Sequence, residues 1–176
     1  MVIVLMGVAG SGKSTIGRML ARALGGDFCD ADDLHPQANR DKMRRGIPLN
    51  DDDRRPWLAA VRALIEHCEN ASVDAVTACS ALKESYRTTL LGGAKDVRLV
   101  YLKGSPGLIA QRLAARHGHF FDPALLKSQF DSLEEPRDAI VVDIAETPAQ
   151  IVDTTMVALG SRHANDQASR DDLLSR

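Results

Sequence analysis

Apolar runs at residues 2–6, 27–30, 75–79, 97–102 and 139–144 alternate with stretches whose apolar residues recur at helical spacing. Strands alternating with helices predict a parallel sheet covered on both faces, an α/β architecture with five strands. Ile16, Met19, Leu20, Ala23 and Leu24 mark the first helix, and Gly25-Gly26 stops it. Asn50-Asp51-Asp52-Asp53 supplies cap oxygens ahead of a helix from about Arg54, with Trp57, Leu58, Val61, Leu64 and Ile65 as its apolar stripe. Ser105-Pro106 opens a helix that carries Leu108, Ile109 and Leu113 and ends near Gly118, and Thr147-Pro148 opens the last one.

A chain of 176 residues suits one domain, here 1–160, able to bury roughly 70% of the surface its unfolded form exposes. Residues 161–176 are polar and read as a disordered tail. The apolar start is too short and uncharged for a leader peptide, and no apolar stretch nears the ~20 residues that span a bilayer, so a cytoplasmic protein with no membrane partner is expected. Cys29, Cys68 and Cys79 lack metal-ligand spacing and read as reduced packing residues. A net charge of −2 with mixed signs offers no basic face, so nucleic acid is excluded as a partner.

Residues 7–14 read GVAGSGKS, directly after the first strand and before the first helix. Such a turn presents backbone N–H groups and a helix dipole to polyphosphate. Gly7, Val8, Ala9, Gly10, Ser11, Gly12, Lys13, Ser14 and Thr15 are the nucleotide-binding candidates for ATP or GTP. Lys13 is assigned to the β- and γ-phosphates and the Ser14 hydroxyl to Mg²⁺.

In an open parallel sheet chemistry belongs beyond the carboxyl ends of the strands. The second strand ends Asp30-Ala31-Asp32, two carboxylates spaced to point from one strand face toward the nucleotide. Asp32 is assigned to orienting and deprotonating an acceptor hydroxyl, and Asp30 to the metal's water shell. His35 is a candidate for bonding a polyol or an ordinary turn histidine. A GTPase switch is disfavoured because no Asn-Lys-x-Asp segment is present.

The segments MGVAGSGKS, DADDLHP, GIPLNDDDRRPWL, CSALKESYR, YLKG and RHGHFF stand in that order. Over residues 2 to about 159 the chain resembles the bacterial gluconokinases of the thermoresistant type. The resemblance implies a three-layer P-loop kinase fold like that of nucleoside monophosphate and shikimate kinases. It also implies a homodimer and transfer of the ATP γ-phosphoryl group to the 6-hydroxyl of D-gluconate. Gluconate is a small hydroxylated anion, and Arg54 and Lys83, with Tyr86 and Arg87 close behind, are the candidates to hold it. The substrate-binding part is placed at about 34–68 and a lid at about 116–132. Arg116 is the preferred lid arginine, with Arg112 on the same helix face, and Phe120 and Phe121 pack the lid when closed. Trp57, Met19 and Met43 are read as core, and Asp51 to Asp53 as a helix cap. Competing readings are another small-metabolite kinase, such as a shikimate or adenylylsulfate kinase, and a nucleotide-dependent regulator that binds a sugar acid.

Overall fold

A computed structural model describes residues 1–115 and 123–160. The strands are β1 (Val2–Met6), β2 (Asp27–Asp30), β3 (Ala75–Ala78), β4 (Val97–Lys103) and β5 (Ile140–Asp143). They form one sheet in the order β2-β3-β1-β4-β5, every neighbouring pair parallel. The helices are α1 (Lys13–Leu24), α2 (Gln37–Arg44), α3 (Asp51–Ala71), α4 (Glu84–Leu91), α5 (Pro106–Ala114), α6 (Pro123–Asp131) and α7 (Pro148–Ala158), with a 3-10 turn over Ala31–Leu34.

Alternation along the central strand divides the core in two. Ile3 and Leu5 face one layer with Ile16 and Leu20 of α1, Ile109 of α5, and Ile151, Val152 and Met156 of α7. Val2, Val4 and Met6 face the other with Trp57, Val61 and Ile65 of α3 and Leu90 of α4. All five β1 residues are fully buried.

Parallel register brings the strand ends to one edge. Leu5 pairs with Ala78 and Val100, and Asp30 pairs with Ala78. The chain therefore leaves β1, β2 and β3 at adjacent points, which sets Gly7, Ala31 and the loop after Ala78 side by side.

Three expectations change. The α3 helix begins at Asp51, because Asn50 alone is its cap: its side chain accepts from Asp53 N while Asp53 accepts from Asn50 N, a reciprocal capping box. Two helices, α2 and α6, carry no strong apolar stripe and were not legible from periodicity. Met43 is 44% exposed, since α2 buries only Asn39, whereas Trp57 is core as expected and Met19 packs partly buried against the first layer. The segment 161–176 lies outside the described residues.

The turn between α1 and β2 passes close to the loop before β3. A Cβ on Gly26 would stand 2.2 Å from the Asp74 carbonyl oxygen, while one on Gly25, at φ +68°, meets nothing within 4 Å. Gly26→Ala should therefore lower stability by about 2 kcal/mol or more through a backbone clash, and Gly25→Ala by only about 1 kcal/mol of left-handed strain. Urea midpoints of the two variants check that ranking.

Candidate active site

The loop from Gly7 to Gly12 joins β1 to α1, and Gly7, Gly10 and Gly12 all have positive φ. Gly12 caps α1 without a side chain, and the first turn holds no acidic residue. Its N–H groups thus remain for an anion, with the helix dipole behind them. The loop rests on α5, where a Cβ on Gly10 would come within 2.8 Å of Leu113. Lys13 Nζ donates to the carbonyls of Gly7 and Val8 at 2.9 and 3.0 Å, so its ammonium lies over the loop. The N–H of Ala9 donates to Gln129 Oε1 of α6 at 2.6 Å. Val8 and Ser11 are buried in the same loop, with Gly10 between them, and Thr15 is exposed on α1.

The Ser14 hydroxyl donates to Asp30 Oδ2 at 2.7 Å, so the two groups assigned to a metal meet directly. A hydroxyl beside a carboxylate is an oxygen donor pair that fits Mg²⁺, which takes few protein ligands beside water and phosphate. Among the described residues no group of three or more His, Cys, Asp or Glu side chains is set to hold a metal by itself.

The structure places Asp30 and Asp32 differently from the shared strand face expected. Asp30 ends β2, and its side chain accepts from the Asp32 N–H at 3.2 Å, capping the 3-10 turn that carries Asp32. Desolvation, reinforced by the charge of Asp30, raises the Asp32 carboxyl above the ordinary aspartate range against an opposing pull from Lys13.

Next along the chain, His35 stacks on Trp57 with ring centroids 4.5 Å apart. The Asn39 amide donates to His35 Nδ1 at 3.3 Å, which leaves the ring proton on Nε2. Burial, then Arg54 and Arg40, lower its pKa, so the ring is neutral near pH 7. Trp57 in turn donates to the Ala31 carbonyl at 2.6 Å, and the Asn39 amide also donates to the Asp53 carbonyl at 2.7 Å. These bonds fasten the turn of Asp32 to the start of α3.

The loop from β3 to α4 brings up the cations. Lys83 Nζ lies 2.9 and 3.0 Å from the two Asp51 carboxylate oxygens, and the Tyr86 hydroxyl donates to the same carboxylate. Arg54 lies 3.4 Å from the Tyr86 hydroxyl and 3.9 Å from Asp51. Arg54, Lys83 and Tyr86, 32 residues from the first to the last, thus form one cluster. Arg87 is not part of it. Buried, it donates to the carbonyls of Ala81 and Leu82 at 3.0 and 2.9 Å, bracing a turn in which Ala81 sits at φ +46°. Adjacent helix residues face different ways, so the spacing already argued against Arg87 sharing the face of Tyr86.

Arg116, Phe120 and Phe121 lie outside the described residues. The Arg112 guanidinium donates to the Ile144 carbonyl, which ties α5 to the end of β5. Sequence reasoning passed over Asp51, taken for a cap, and Gln129; the only signal for Asp51 was its place in the acidic run next to Arg54.

The AAA domain family profile matches residues 2–136. The thermoresistant gluconokinase of Escherichia coli K12 is 43% identical over 159 residues, covering 88% of this chain and 91% of that protein. A crystal structure of a gluconokinase from Sinorhizobium meliloti 1021 superposes with a TM-score of 0.80 at 41% identity, covering 99% of this chain and 97% of that one. Shikimate kinase from Bacteroides thetaiotaomicron, at 16% identity and a TM-score of 0.68 over 91% of this chain and 98% of that one, shares the P-loop kinase fold.

Replacing the inward guanidinium tests its bracing role. Arg87→Met strands the buried Ala81 carbonyl, while the Leu82 carbonyl keeps the Glu134 N–H, and should cost about 1–2 kcal/mol, read as a lower denaturation midpoint.

Proposed function

The chain belongs to the gluconokinase family, and we propose how its residues divide the work of phosphorylating D-gluconate with ATP. The loop N–H groups and the α1 dipole hold the β- and γ-phosphates, and Lys13 leaves the Gly7 and Val8 carbonyls to reach them. Mg²⁺, held by Ser14 with Asp30 in its water shell, would neutralise phosphate charge. Asp32 accepts the proton of the 6-hydroxyl as its oxygen bonds to the γ-phosphorus and the bond to the ADP oxygen breaks, giving 6-phospho-D-gluconate and ADP. Arg54, Lys83 and Tyr86 take the acceptor's carboxylate, and neutral His35 offers its Nε2 proton to a hydroxyl. Arg116 on the lid stabilises the transferring phosphoryl group, and closure keeps water out. Homodimeric assembly in the cytoplasm belongs to the same reading, and the three free cysteines suit a reducing compartment.

The observation that carries this reading is the Ser14 to Asp30 hydrogen bond. It joins the nucleotide loop to the turn of Asp32, whose carboxyl feels the Lys13 charge. Reactants held from these two segments lie within reach of one another.

A coupled ADP-release assay with MgATP and a panel of D-gluconate, shikimate, adenylylsulfate, AMP and no acceptor tests the acceptor. Turnover with gluconate alone is the expected result, and a rate no higher than the blank overturns it. Lys13→Ala should cut turnover by orders of magnitude with the fold intact by circular dichroism.

Asp32→Asn should lower kcat about 100-fold or more, with a much smaller change in ATP affinity. Because the Asp32 pKa is raised and its basic form is the active one, kcat/KM should fall with decreasing pH along a limb above the ordinary carboxyl value of about 3.9. A pH-rate profile of the wild-type enzyme checks that position.

A further inference from the structure

The three acidic residues that open α3 have separate fates. Asp53 completes the capping box and pairs with Lys42 at 2.6 Å, and Asp52 pairs with Arg55 on the surface. Asp51 alone crosses to the start of α4, where Lys83, its cap residue, and Tyr86 in its first turn grip its carboxylate. The helix does not need it there, since Asn50 and Asp53 already satisfy the cap.

The donors around Asp51 are those assigned above to the acceptor's carboxylate, and the present inference rests on that assignment. An ammonium on both oxygens, a phenol on one and a guanidinium at the side make a carboxylate-binding arrangement with a carboxylate already in it. Two features suit exchange. The Asp51 side chain is 62% exposed against 33% for Lys83 and 32% for Arg54, so it can turn outward into water without burying an unpaired charge. Arg54 meets it only at 3.9 Å, which leaves most of the guanidinium fork unspent.

We propose that Asp51 is an internal surrogate for the substrate's carboxylate, holding Lys83 and Tyr86 in the acceptor-free enzyme and yielding them when gluconate binds. It is then a specificity-determining residue. A sugar acid replaces one carboxylate by another, so Lys83 keeps a charged partner throughout. A neutral polyol has nothing to offer Lys83 in return for Asp51, and is disfavoured although its hydroxyls match. The bonds from Tyr86 and then Lys83 hold the Asp51 carboxyl below the ordinary aspartate range, in keeping with a carboxylate gripped by these donors.

Kinetics of Asp51→Asn beside Lys83→Ala test the exchange. With its competitor gone, Asp51→Asn should lower the gluconate KM roughly threefold, the scale of one exposed ion pair, with the change in KM rather than kcat. Sulfate, added at saturating MgATP as a competitor of gluconate, should inhibit this variant at correspondingly lower concentration. Lys83→Ala should raise the gluconate KM. An Asp51→Asn KM that is unchanged or higher, alongside a raised KM in Lys83→Ala, overturns the surrogate role and leaves Asp51 as a positioning residue. An unchanged KM in Lys83→Ala instead overturns the carboxylate subsite itself, and the surrogate role with it.

Discussion

The strand β1 has no exposed surface and no free edge, and the rest of the molecule is arranged around that fact. Its neighbours β3 and β4 take its backbone hydrogen bonds, and two separate apolar layers take its side chains. A strand so enclosed is a fixed post, and the glycine loop that springs from it inherits a fixed origin. The parallel register then obliges β2 and β3 to end beside it, so chemistry carried on three different connections converges without any direct covalent link.

Charge is the second organiser. A gluconokinase must bring an anionic acceptor to an anionic nucleotide, yet the end of β2, the turn after it and the start of α3 carry Asp30, Asp32 and Asp51. The structure handles this by pairing. Asp30 accepts from Ser14 and from a backbone N–H, Asp51 sits among Lys83, Tyr86 and Arg54, and the pKa of Asp32 is raised. Desolvation and the charge of Asp30 thus fall on the carboxyl proposed to take the proton, a common arrangement at catalytic sites.

The nucleotide half of the site was legible because its determinants are contiguous: a buried run, a glycine turn and an amphipathic helix follow one another between residues 2 and 24. The five strands were legible for the same reason. The cluster proposed to hold the acceptor was less so. Asp51 and Lys83 are far apart in the chain, and a charged residue at the start of a helix looks alike whether it caps, solvates or bridges. The bonding of Arg87 was hidden too, since the carbonyls it meets are presented by a turn with a left-handed backbone at Ala81, and no residue type announces that conformation at an alanine. The 3-10 turn at Asp32 escaped because four residues carry no period to read.

The attachment of α2 has a consequence for how the molecule comes apart. That helix buries only Asn39, leaves Met43 and nearby Ile47 exposed, and is fastened through polar contacts: Asn39 to Asp53, Arg40 to the His35 carbonyl, Lys42 to Asp53. With so little apolar area holding it, α2 belongs to the low-stability end of the fold, whereas the amides of β1 are freed only when the whole sheet opens. The helix α2 and the strand β1 therefore exchange with solvent on different scales. Warming frees α2 first, and for an interval the glycine loop still stands on an intact sheet while the segment between His35 and α3 has come loose.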